Sequence, residues 1–267
     1  MKRLLVIFGA LVLAPAAFAG GNNPFGLQDG QGALNAEANV RYVASQRGAD
    51  TVISALSTTN GTVLRKLELK GEWGIPRIDQ SASLSFDGKT LVLAPTKYGA
   101  ASTSFKVLDA GTLHLRKTIT LRGSYAFDAL GPKAGMLYLV NYPGQDTSRY
   151  VVKAVNLRTG KLLPGRIADK TQNSWIMQGL PVTRISSADG RWVYTLYANP
   201  GGYAFVHALD TVGRSAHCVG IPWKGDANKQ WDMRLALRSD GKLGVNWQDT
   251  GAPYIAIDLT TWKIDYL

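Results

Sequence analysis

The chain of 267 residues has a single cysteine, Cys218. No intramolecular disulfide can form, and zinc sites built on paired cysteines are excluded. Stability must come from burial and strand pairing, and Cys218, flanked by Ala216 and Val219, reads as a small core residue rather than a reactive thiol. Histidine is almost as scarce: His114, His207 and His217 are the only three, and no spacing of His with acids resembles a compact metal site. The chain contains no G-x-G-x-x-G and no P-loop, and neither G-x-S-x-G nor S-x-x-K accompanies Ser102 or Ser104. Nucleotide binding and serine-nucleophile chemistry therefore lack their usual frames.

Long apolar runs are also missing after the first one. Leu4 to Leu13 follows Lys2-Arg3 and precedes Ala17-Phe18-Ala19, the pattern of a secretory signal cleaved after Ala19. The run is too short for a stable span, and no cysteine follows the cleavage site to carry a lipid. The expected mature chain is Gly20 to Leu267, periplasmic or secreted, with no membrane span. Net charge is +11, or +9 once Lys2 and Arg3 leave with the signal. This surplus favours anionic envelope polymers over nucleic acid for an exported protein. No block of five or six bases occurs, so most of the surplus reads as a solvated face and as protection of outer strands by residues such as Lys66, Lys70, Arg116 and Lys117.

What is present is a repeat. Asp-Gly recurs at Asp87-Gly88, Asp189-Gly190 and Asp240-Gly241, spaced 102 and 51 residues apart. A hidden copy lies at Gly131 to Gly135, and a fifth where Glu37 to Ala44 aligns with Asp87 to Ala94. A second turn signal follows each of these by 18 to 22 residues, at Ser57, Asp109, Asn156, Asp210 and Asp258. Within each unit, Asp-Gly supplies the positive φ of a tight hairpin, and the runs between turns have strand length. Five units of about 50 residues with four strands each specify an all-β fold, a five-bladed β-propeller of four-stranded antiparallel blades. The expected blades are 25–71, 75–123, 126–167, 179–222 and 231–267 of one domain, 20–267. Blade 1 draws its first strand from Phe25 to Leu34, and the ring closes by face-to-face blade packing without strand exchange.

The pattern of apolar strand, Asp-x-x-Thr/Gly turn and short strand, from Ala33 to Leu267, resembles bacterial extracytoplasmic propellers of the WD40-like, YVTN-type repeat superfamily. The resemblance implies the scaffold and carries no functional residue. The Gly-His and Trp-Asp signatures of true WD40 repeats are absent, since Trp231-Asp232 precedes a first strand.

Function in a propeller usually sits where the loops entering first strands meet those joining second to third strands, around the axis. Here those loops carry Trp73, Arg77, Tyr125, Trp175, Arg184, Trp231 and Arg234, with Tyr98, Tyr142, Tyr197 and Trp247 beside them. Aromatic rings with interspersed Arg suit stacking on a sugar or an extended peptide. The competing reading is that these rings plug the channel or pack between blades. Asp79, Asp128 and Asp232 are candidates for a calcium site, against the alternative that they cap backbone N–H groups or pair with Arg. No other cofactor is expected. The sequence thus points to an exported, monomeric, non-enzymatic binding or scaffold module for a carbohydrate, an anionic envelope ligand or a protein. The alternative is a cation-dependent lactonase- or lyase-type enzyme. N-terminal sequencing of protein exported by a bacterial host should begin at Gly20; a first residue of Met1 would contradict the signal reading.

Overall fold

A computed structural model describes residues 32–79, 81–97, 101–143, 149–171, 176–199, 201–223 and 225–267. The leader, residues 25–31 of the expected first strand, and the candidates Tyr98 and Trp175 lie outside the described residues. The repeated turns explain the repeated sheets. Gly88, Gly190 and Gly241 adopt φ of 67°, 69° and 80°, a region that L side chains disfavour. The carboxylates of Asp87, Asp189 and Asp240 each accept the backbone N–H two residues on, at 3.2, 3.0 and 3.2 Å. In two of the turns a serine two residues earlier completes the motif, Ser85 and Ser187 donating to the same carboxylates at 2.6 and 2.5 Å.

Five antiparallel sheets follow, each built from strands in chain order. Blade 1 holds Ala33–Asn35, Val40–Arg47, Asp50–Ser57 and Val63–Lys70. Blade 2 holds Trp73–Gly74, Thr90–Pro95, Ser102–Asp109 and Leu115–Arg122. Blade 3 holds Ser124–Leu130, Met136–Tyr142 and Arg149–Asn156, with an outer edge pieced together from Lys161–Leu162, a bridge at Ile167, and Met177–Gln178. That edge runs past residue 167, where the sequence reading ended the blade, because Pro164 and Gly165 interrupt it and the chain returns further on. Blade 4 holds Leu180–Ser186, Trp192–Ala198, Phe205–Asp210 and Ser215–Gly220. After a 3-10 turn at Ala227–Asp232, blade 5 holds Met233–Leu237, Leu243–Trp247, Pro253–Ile257 and Ile264–Tyr266. The protein is a five-bladed β-propeller.

Burial follows position in the blade. In the second strand of blade 2, Thr90 to Ala94 are all buried, sandwiched on both faces, whereas the outer strand Leu115–Arg122 alternates, with Arg116 and Arg122 exposed and Lys117 donating to the Arg158 carbonyl of blade 3 at 2.6 Å. Four apolar clusters join successive blades, 1 to 2 around Tyr42 and Leu91, 2 to 3 around Phe105 and Leu137, 3 to 4 around Tyr138 and Tyr197, and 4 to 5 around Leu196 and Val245. Among the described residues no such cluster joins blade 5 to blade 1, where face-to-face packing was expected. The rows those two blades turn outward carry charge: Lys66 and Glu68 in blade 1, and in blade 5 Asp265, paired with Lys242 at 2.6 Å.

The innermost strand of blade 2 is interrupted. Gly74 pairs with Ala94 and Leu84 with Leu91, and the residues between them leave the sheet as a small hairpin in which Arg77–Ile78 pairs with Ser81–Ala82. The hairpin reaches across the axis. Ile78 is buried in the cluster between blades 3 and 4, the Arg77 guanidinium donates to the Gly32 carbonyl of blade 1 at 3.1 Å, and the Asp79 carboxylate accepts the Thr183 hydroxyl of blade 4 at 2.6 Å. Thr183 is buried, so Asp79→Ala strands a hydroxyl and should lower unfolding free energy by about 1–3 kcal/mol. In denaturant titrations the Asp79→Ala, Thr183→Val double variant should lose less than the sum of the two singles; strict additivity would mean the bond across the axis does not form.

Candidate functional site

At the loop end of the axis the structure separates the residues that the sequence grouped. Trp73 is half-buried, its indole N–H donating to the Lys70 carbonyl at 2.7 Å and its ring under the Lys106 ammonium at 4.5 Å. Arg77 and Asp79 belong to the axial hairpin, and the Arg77 Nε donates to the Asp79 carbonyl. Tyr125 is buried in the core between blades 2 and 3. Arg184 is 3% exposed and bonded to Asp128, itself 1% exposed. Trp231 stands at the surface, 36% exposed, and Arg234 folds back onto the carbonyls of Trp231 and Met233, both at 2.7 Å. Asp232 is exposed, with Lys229 at 4.0 Å. Asp79, Asp128 and Asp232 thus each have a separate partner, and among the described residues no group of three or more His, Cys, Asp or Glu could hold a metal ion. Two of the expected aromatics, Tyr142 and Tyr197, pack through Tyr150 in the core between blades 3 and 4, and Trp247 packs with two residues not singled out, Trp223 and Tyr254, at centroid distances of 5.6 and 5.5 Å. Their planes are tilted by 58° and 53°, so the rings pack on one another instead of presenting a platform.

Between blades 3 and 4 lies a sealed polar centre. Arg184 donates to the carbonyl and the carboxylate of Asp128, and through Nε to the Thr195 hydroxyl at 2.8 Å. His207, 1% exposed, has its Nδ1 at 3.5 Å from the Cys218 sulfur, with the Tyr197 ring edge-on beside it. Its Nε2 and the second Asp128 oxygen have no hydrogen-bond partner among the described residues. Burial pushes the His207 imidazolium down to about 4, partly offset by the Asp128 charge, and burial pushes the Cys218 thiol up to about 12. A neutral, buried imidazole and a protonated, half-buried thiol are structural groups at neutral pH.

The open site is at the other end of the axis, where first strands turn into second strands. There a cavity of about 290 Å³ is walled by Leu34, Leu84, Phe86, Phe127, Leu130 and Val193, with Asn35, Glu37, Ser85 and Ser186 as its polar members. The strand order places it there: residues 35–37, 85–88 and 190 belong to the first-to-second turns of blades 1, 2 and 4. Phe86 is 56% exposed and Leu34 49% exposed at the mouth, while Phe127 and Val193 are buried walls. Phe86 lies against Gly190, where a Cβ would come within 2.5 Å of its ring. Asn35 is held by donating to the Gly88 carbonyl at 3.3 Å. The sequence signal for this site was the residue before Asp-Gly, which is Phe86 in blade 2 but Ala188 and Ser239 in blades 4 and 5. An exposed aromatic in a tight turn is not what the turn itself requires.

No family model matches the chain, and no curated protein matches it in sequence. Among solved structures, hydrazine synthase of Kuenenia stuttgartiensis superposes with a TM-score of 0.53 at 14% identity, over 84% of this chain and 62% of that one. A functionally unknown protein from Desulfotomaculum acetoxidans gives 0.53 at 11% identity, over 88% and 67%. The β-propeller domain of Swd1 (Cps50) from Myceliophteria thermophila gives 0.49 at 15%, over 85% and 69%. At these identities the likeness concerns the fold alone, and the chain spans less than two thirds of the hydrazine synthase chain.

Two measurements test the sealed centre. Arg184→Met, which leaves Asp128 buried and unpaired, should cost about 3–5 kcal/mol, and adding Asp128→Asn should recover part of it. For His207 the unfolded state, near the ordinary value of about 6.5, binds its proton before the folded state does. Stability should therefore be complete above pH 6.5 and fall as pH drops towards 4, by about 3 kcal/mol in all. Unfolding titrations of His207→Leu should lose that slope whatever their absolute stability; an unchanged slope would remove His207 as its source.

Proposed function

We propose that this protein is an exported, non-enzymatic binding propeller that takes a carbohydrate or an anionic envelope ligand at the axial mouth formed by its first-to-second strand turns. The observation that carries this reading is the cavity itself, concave, open at the surface and lined by an exposed aromatic with a few polar groups, the composition of small-ligand sites in general. Its volume is at the lower edge of such sites, near 300 Å³, so one ligand unit enters and the remainder rests on the turns. The surplus of positive charge raises the local concentration of any anionic polymer.

Non-catalytic action is supported by where the reactive side chains are. His207 is buried between two blades and Cys218 is half-buried beside it, and the three carboxylates of the cation-dependent alternative are held elsewhere, Asp79 by Thr183, Asp128 by Arg184, and Asp232 with Lys229 at 4.0 Å. A thermal-shift screen of Gly20 to Leu267 against oligosaccharides, anionic polymers and calcium should raise the midpoint with a glycan or a polymer and not with calcium. A calcium-dependent rise accompanied by turnover of a lactone would overturn the reading in favour of the enzyme.

A further inference from the structure

Resting on that binding reading, we propose that the axial mouth takes a single neutral sugar ring, stacked on Phe86 and hydrogen-bonded through Glu37 and Ser186. Three observations converge on this ligand class. The first is a platform. The Phe86 ring rests against the backbone of Gly190, which is buried beneath it at φ 69°, and more than half of Phe86 stays exposed to solvent. A ring supported on one face and open on the other presents its electron-rich surface to a ligand whose C–H bonds carry slight positive charge. Glycine at 190 is required twice, for the backbone angle and for the space that the ring occupies.

The second is the polar complement. Asn35 and Ser85 are already engaged, with Gly88, Asp87 and the Thr90 N–H, whereas the Glu37 and Ser186 side chains line the cavity with no hydrogen bond to the described residues. An ionised carboxylate accepts and cannot donate, so Glu37 suits a ligand rich in hydroxyl donors and repels a carboxylate or phosphate placed in the cavity. The anionic alternative is thereby confined to the exposed bases outside it, such as Lys89 and Lys133. The third is size. A cavity of about 290 Å³ lies at the lower edge of small-ligand sites, which suits one ring, and a chain must continue outward.

The test uses the mature chain with a panel of neutral monosaccharides, namely glucose, galactose, mannose and N-acetylglucosamine, their oligomers, and an anionic polysaccharide, with saturation-transfer NMR and calorimetry as readouts. At least one sugar should bind. Phe86→Ala should weaken it at least tenfold, Gly190→Ala should do likewise by displacing the ring, and Glu37→Gln should weaken it several-fold, while Trp231→Ala leaves affinity unchanged. Phe86 is an exposed turn residue, so its variant should keep the parent melting temperature to within a few degrees. Sugar binding that survives Phe86→Ala and is lost in Trp231→Ala would overturn this site while leaving the binding function standing. Binding of anionic polymers alone, with no neutral sugar bound, would overturn the ligand class. Silence from every ligand would overturn both.

Discussion

Side chains of blades that are not neighbours in sequence touch across the axis. Asp79 of blade 2 reaches Thr183 of blade 4, and Phe86 of blade 2 covers Gly190 of blade 4. The consequences run in both directions along the axis. At the loop end the hairpin inserted in blade 2 fills the space and ties blades 1, 2 and 4 together. At the turn end the mouth is an open cavity, with Ala82 of the hairpin in its lining. The described apolar clusters seal four blade junctions and leave the one between blades 5 and 1 without such a cluster, so contacts through the centre carry part of what a strand exchange would otherwise supply.

Contact between blades also shapes the polar interior. A guanidinium and a carboxylate are costly to bury, and the expense is offset only when geometry is good and the remaining donors are satisfied. Arg184 meets that condition through Asp128 and Thr195. His207 does not, since one of its nitrogens has no partner among the described residues and the imidazole is held neutral by burial. The centre between blades 3 and 4 is therefore rigid at neutral pH and the place where acid first acts.

The blade count, the turn positions and the strand order were legible in the sequence because one chemistry, Asp-Gly with its carboxylate bonded to the N–H two residues on, was repeated at a fixed interval. The interruption in blade 2 was not legible. Residues 75 to 82 have the composition of an inter-blade loop, and only the pairing of Gly74 with Ala94 and Leu84 with Leu91 reveals that they are an insertion within one strand. The dispersal of the candidate residues was not legible for a related reason. Trp and Arg density in the loops suits either an open stacking face or rings that plug and pack, and the burial of Arg184 and Tyr125 and the bonds that Arg77 makes to its neighbours follow the second. Phe86 was overlooked because it sits in a turn valued for its Asp-Gly, where its own side chain has no structural duty.

The central claim is that ligand meets the turn end of the axis. Hydrogen–deuterium exchange of the mature protein, with and without the glycan or polymer that raises its melting temperature, tests this most directly. The account predicts added protection in residues 34–37, 84–88 and 186–190, with the loops at 223–234 and 247–254 unchanged. Protection confined to those loops would contradict it and move the site to the opposite face.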